Sequence, residues 1–176
     1  MKRALESGVG MINVGTDLET SRAAVTLAHE YENDPVWATV GVHPTDINDK
    51  IDWENFKKLA EDKKVVAIGE CGLDYFHVKE PSEREKQKEV FIKQIAIAGE
   101  VGKPLMIHCR PSLNTQDAYE DILKILVAPT LRSGSRLNVG SNIHFFAGSL
   151  PIAKQFLALE FTLSFTGVIT FTKDYD

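Results

Sequence analysis

Four residues stand where chemistry is possible: His43, Glu70, His108 and His144. Each follows a short apolar run. Val36–Val40 leads into Gly41-Val42-His43-Pro44, and Val65–Ile68 into Gly69-Glu70-Cys71-Gly72-Leu73-Asp74-Tyr75. Leu105–Ile107 leads into His108-Cys109-Arg110-Pro111, and Asn142–Ile143 into His144-Phe145-Phe146-Ala147-Gly148-Ser149. Successive members are separated by about one β/α unit of roughly 30 residues. Imidazoles and a carboxylate brought to one point could hold a divalent cation.

The elements that must position them alternate. Apolar, β-branched runs at Val9–Val14, Val36–Val40, Val65–Ile68, Leu105–Ile107, Asn142–Phe146 and Phe161–Phe165 read as strands. Between them, Thr16-Asp17-Leu18-Glu19 has the form of a capping box ahead of Ala23, Leu27 and Tyr31. Trp53, Phe56 and Ala60 share a second helical face. Ser82-Glu83-Arg84-Glu85 reads as the cap of a third helix, with Phe91, Ile95 and Ala98 as its apolar face. Ala118, Ile122 and Ile125 lie on a fourth helix, which Pro129 ends, and Leu150, Ala153 and Leu157 lie on a weaker fifth. Strands apolar throughout, each followed by a helix, are what a parallel sheet requires when both of its faces are covered. Six β/α units fit, as a doubly wound sheet or a (β/α)8 barrel. The first strand is not followed by Gly-x-Gly-x-x-Gly, which weakens the nucleotide-binding sheet. In either architecture the strand ends meet at one side, so the four polar residues converge there.

Strand alternation places Glu70, Ile68 and Val66 on one side, with His108 and Met106, so Ile68 and Met106 would fill the interior beneath Glu70 and His108. Cys71 and Cys109 have the opposite parity and read as small buried hydrophobes. His29 reads as a helix-surface residue and His77 as a residue of the loop beyond Tyr75, neither among the converging strand-end residues. Lys79–Glu89 reads as a solvated helix face, and Trp37 and Trp53 as packing residues.

The chain has 176 residues, 43% hydrophobic and 26% charged, enough for one domain spanning 1–176. The longest apolar runs are too short for a membrane span, and the first residues lack the apolar stretch of a signal peptide. The net charge of -5 argues against a general electrostatic grip on nucleic acid, so a phosphate-bearing substrate would need local positive charge, such as a metal. Two cysteines make no disulfide framework, and the cytoplasm is the expected location.

With those residues in place, the sequence resembles the TatD family of metal-dependent deoxyribonucleases, within the amidohydrolase-like barrels. The matching segments are Gly41-Val42-His43-Pro44, Ala67 through Tyr75, Pro104 through Arg110 and His144 through Ser149. Asn13 through Asp17 and Leu163 through Gly167 agree more weakly. The resemblance implies Glu70 as a ligand bridging two ions and His108 and His144 as ligands to one of them. It also implies Arg110 as a phosphate contact and His43 as a group orienting substrate or a ligand. Mg, Mn or Zn ions, two in a complete member, and DNA as substrate follow by the same resemblance.

The sequence departs from the family at both ends. It contains no His-x-His, and it stops at Phe171-Thr172-Lys173-Asp174-Tyr175-Asp176 without a Thr-Asp-Ser-Pro segment. Asp174 and Asp176 lie in no matching context. The resemblance therefore implies an incomplete (β/α)8 TIM-type barrel of about six units, lacking the first and last strands. Impaired cleavage and self-association through exposed edge strands are expected with it. Two alternatives stay open: another metal-dependent barrel hydrolase acting on esters, amides or phosphotriesters, and a non-catalytic fragment.

Overall fold

The computed structural model describes residues 1–48, 50–128 and 140–171. Among these residues, six strands form one sheet: β1 (Met11–Val14), β2 (Val36–Val40), β3 (Val65–Asp74), β4 (Leu105–Arg110), β5 (Asn142–His144) and β6 (Thr162–Leu163). They lie in chain order and every neighbouring pair is parallel. This is the incomplete-barrel pattern expected from sequence. The helices are α1 (Lys2–Glu6), α2 (Leu18–Glu30), α3 (Trp53–Ala60), α4 (Pro81–Val101), α5 (Asp117–Val127) and α6 (Leu150–Ala158), followed by a 3-10 turn at Gly167–Thr170. None of the described helices is long and apolar enough to cross a membrane.

The helices seal one face of the sheet. Leu105 and Ile107 of β4 are fully buried there, with Phe91, Ile95 and Ala98 of α4 and Ala118 and Ile122 of α5 in the same core. Burial of a large apolar side chain contributes about 1.5–3 kcal/mol, so this layer holds the fold. The opposite face is open at the start of the sheet, where Ile12, Val14 and Trp37 are exposed. Trp37 is thus not a core residue.

Several local expectations need correction. The cap of α2 is Asp17, boxed with Thr20 rather than Thr16 with Glu19, and its buried face is Ser21, Ala24, Val25 and Ala28, leaving Ala23 exposed. Helix α4 begins at Pro81 after Glu80, because proline's fixed φ suits the first helical position, so Ser82 does not cap it. In α6 the buried residues are Ile152, Ala153 and Phe156, whereas Leu150 and Leu157 are exposed. His29 is half-buried and pairs with Asp62 through Nε2 at 2.9 Å. Pro129, Asp174 and Asp176 lie outside the described residues.

Candidate metal centre

Strand β3 runs past Ile68 to Asp74, and its pairing with β4 is irregular between Ile68 and Cys71. Ile68 stands opposite Leu105, Cys71 opposite Ile107 and Gly72 opposite His108. One extra residue on β3 is accommodated there, as in a bulge. Ile68 therefore shares the helix-covered face of Leu105, not the face of Met106. The bulge, rather than simple alternation, brings Glu70 to the face of His108. Two glycines make this close approach possible: a Cβ on Gly69 would lie 2.4 Å from the Met106 carbonyl oxygen, and one on Gly72 would lie 2.0 Å from that of His108. Cys71 and Cys109 fall on the buried face as free thiols, and burial raises the pKa of both.

His43, Glu70 and His108 come together at the carboxyl ends of β2, β3 and β4, each offering one ligand atom within 4.8 Å of the others. His108 Nδ1 lies 3.1 Å from Glu70 Oε1, and the rings of His43 and His108 meet edge-on with centroids 4.3 Å apart. The electrostatics follow from this packing. Burial pushes the Glu70 carboxyl up, but the hydrogen bond and charge of His108, with His144 and His43 behind it, bring it below its ordinary value. Burial acts against protonation of His108, yet its bonds to Asp74 and Glu70 outweigh that and raise its pKa. Burial and then the charge of neighbouring His108 lower the pKa of His43, favouring the neutral form that a ligand needs.

Sequence reasoning missed the residues that hold this group in place. Asp74 is buried, and its Oδ2 lies 3.1 Å from His108 Nε2 and 2.9 Å from His77 Nδ1. His77, in the turn after β3, is thus tied back to the strand end. Burial raises the Asp74 carboxyl, but bonds from His108 and His77 hold it well below the usual carboxylate range. Two buried glutamines of α4 fix the strand ends. Gln94 accepts from the Val42 N–H at 2.8 Å and donates to the Val42 carbonyl at 3.0 Å, locking the residue before His43. Gln87 accepts from the Asp74 N–H at 2.9 Å and donates to the carbonyls of Pro44 and Asp74. Their positions were readable: Gln87, Phe91, Gln94, Ile95 and Ala98 fall on one helical face, so the two amides sit in an apolar stripe. Arg84, in the segment read as solvated, donates to the carbonyls of Val78 and Tyr75 and to Ser112 Oγ.

The remaining candidates lie around this group. His144 is the register partner of His108, and its Nδ1 is 3.5 Å from Ser164 Oγ. It contributes to the charge felt by Glu70 but is not in the group that closes to 4.8 Å. Arg110 is exposed at the end of β4, its guanidinium 4.0 Å over the ring of Phe76. The donor set, two imidazoles and a carboxylate in part-buried positions, fits a divalent transition or alkaline-earth ion. An apolar core would have no use for such a convergence, since each buried polar group must be satisfied.

A parallel sheet with ligand-type side chains gathered at its carboxyl edge has the layout of a (β/α) barrel, whose sites lie at the strand ends. The chain belongs to the TatD related DNase family, whose model matches residues 1–176. It is 40% identical over 163 residues to the uncharacterized metal-dependent hydrolase YabD of Bacillus subtilis, covering 92% of this chain and 58% of that protein. It is 34% identical over 177 residues to the 3'-5' ssDNA/RNA exonuclease TatD of Erwinia tasmaniensis, covering 96% of this chain and 61% of that protein. The chain thus spans about three fifths of the length of these relatives. Among solved structures, the TatD homologue YjjV of Escherichia coli superimposes with a TM-score of 0.71 at 28% identity, over 92% of this chain and 58% of that one. A TatD family hydrolase of Entamoeba histolytica shares the fold, with a TM-score of 0.74 at 24% identity, over 94% of this chain and 55% of that one.

Proposed function

We propose that this chain carries part of the metal-dependent active centre of a phosphodiesterase acting on single-stranded DNA or RNA. The observation that carries this reading is the convergence of Glu70, His108 and His43 at the strand ends. Glu70 and His108 would hold the ion, with neutral His43 and the nearby His144 as the further nitrogen donors. A bound Mg, Mn or Zn ion supplies an activated water and neutralises charge developing on the phosphoryl oxygens. Arg110 presents a planar fork suited to two phosphate oxygens, and its stacking on Phe76 limits the freedom lost when it binds. These local positive groups answer the mismatch between a net charge of -5 and a polyanionic substrate. The nuclease named among the relatives supports this substrate class.

The test is digestion of end-labelled single-stranded DNA and RNA with Mn²⁺, with chelator and Glu70→Ala as controls. Slow, metal-dependent shortening of the labelled strand that Glu70→Ala abolishes is the expected result. Shortening that persists in chelator, or in Glu70→Ala, would contradict it. A strand left intact at high protein and Mn²⁺ would also contradict catalysis by this chain.

A further inference from the structure

We infer that Arg84 is a positioning residue: from α4 it clamps the turn after β3 to the segment after β4, and so fixes Phe76 as the platform that presents Arg110 to a phosphate. The inference deepens the substrate reading above and rests on it for what Arg110 contacts, though not for the clamp.

Phe76 is exposed in a turn at residues 75–77, with the Arg110 guanidinium 4.0 Å over its ring. A ring in a turn orients its neighbour only if the turn itself is held. Arg84 Nε donates to the Val78 carbonyl at 3.0 Å and Nη2 to the Tyr75 carbonyl at 3.1 Å, gripping the chain on both sides of Phe76 and His77. Nη2 also donates to Ser112 Oγ at 2.8 Å, and Nη1 donates to Asp117 Oδ2 at 3.4 Å. Asp117 in turn accepts from the N–H and the hydroxyl of Ser112. Arg110 stands two residues before Ser112, and its carbonyl accepts the Tyr75 N–H at 2.8 Å. The platform and the root of the arginine laid on it are thus tied to one guanidinium.

That guanidinium is itself packed. The Arg84 side chain is 25% exposed and lies 4.3 Å from the centre of the Tyr75 ring, whose hydroxyl donates to Asp121 at 3.0 Å. Bonds from all three nitrogens need a planar fork, which the single ammonium of a lysine cannot supply. An arginine already laid on a fixed ring loses less freedom on binding, so affinity rises without any new contact to the ligand.

Arg84→Lys separates this role from charge, because the lysine keeps the charge and loses the fork. In ¹⁵N relaxation of the ligand-free chain, the Arg110 Nε–H is expected to be restricted in the wild type and loose in Arg84→Lys. Affinity for labelled oligothymidylate in EDTA should fall about 3–10-fold in Arg84→Lys, and that loss should vanish in an Arg110→Ala background. A substitution that only weakened the fold would lower affinity equally in both backgrounds. That outcome, or an Arg110 side chain equally ordered in wild type and Arg84→Lys, would overturn the inference. If Arg84→Lys fails to fold, Ser112→Ala cuts the clamp at the β4 segment and is read in the same way. If Arg110→Ala binds oligothymidylate as well as the wild type, or neither binds it, the substrate reading fails, and the relaxation data still decide the clamp.

Discussion

The two faces of the sheet differ in what holds them. On the helix-covered face, Leu105, Ile107 and Cys109 alternate along β4 at 0%, 0% and 6% exposure. On the opposite face, Met106 and His108 are half-buried and Arg110 is exposed. The first face is a continuous hydrocarbon layer whose stability scales with buried area. The second has an open apolar floor at Ile12, Val14 and Trp37 and a polar rim at Glu70 and His108. The fold is thus carried by one side and the ligand-type side chains by the other, with α4 linking them through Gln87 and Gln94.

Breaking the covered face should have the largest effect. Phe91→Ala removes a fully buried ring from the layer between α4 and the sheet. It should cost about 3–5 kcal/mol, read as a lowered midpoint in urea unfolding. A loss below about 1 kcal/mol would mean that this face is not where stability resides.

Cutting the link comes next. Gln94→Leu leaves the Val42 N–H and carbonyl without their buried partners. A loss of about 2–4 kcal/mol is expected, together with weaker metal binding as His43 is released. Equal stability with unchanged binding would show that α4 does not position the rim.

Acid acts on the carboxylates that tie the loops to the helices. Asp117 accepts from the N–H groups of Ser112 and Ala118 at 2.9 and 2.8 Å and from the hydroxyls of Ser112 and Thr115. Burial raises its pKa, but these bonds outweigh that and hold it below the ordinary carboxylate value. A depressed folded value stabilises the protein above the unfolded pKa of about 4, and that stability is lost as pH falls through the folded value. Asp117→Asn should therefore cost about 1–2 kcal/mol at neutral pH and flatten the acid side of the melting profile. An unchanged acid limb would remove Asp117 from the explanation.

The smallest effect belongs to the open floor. Ile12 is 52% exposed, so Ile12→Thr should change stability by less than about 0.5 kcal/mol. A loss of 2 kcal/mol would show that something covers this face in solution.

The covered face was largely legible in the sequence, because apolar runs and helical spacing report burial directly. All six strands were placed by their aliphatic runs, and Phe91, Ile95 and Ala98 do form the buried stripe of α4. What escaped depends on tertiary pairing. The apolar run ends at Ile68, yet β4 recruits the residues on to Asp74 into β3, and the bulge between them reverses the facing of Ile68 that unbroken alternation gives. Asp74 and His77 gain meaning only through the ring of His108, which arrives from the next strand. The face of α6 was misread because Leu150 and Leu157 are as apolar as Ile152 and Phe156, and only the sheet decides which pair is covered. At the rim, His43, Glu70 and His108 form a three-ligand group, and His144 stays outside it.

The central claim is that the open face binds a divalent ion through Glu70 and His108. Calorimetric titration of the chain with Mn²⁺, beside Glu70→Ala, tests it most directly. Saturable binding that Glu70→Ala eliminates is the expected result. Absence of binding, or binding that the substitution leaves intact, would contradict it.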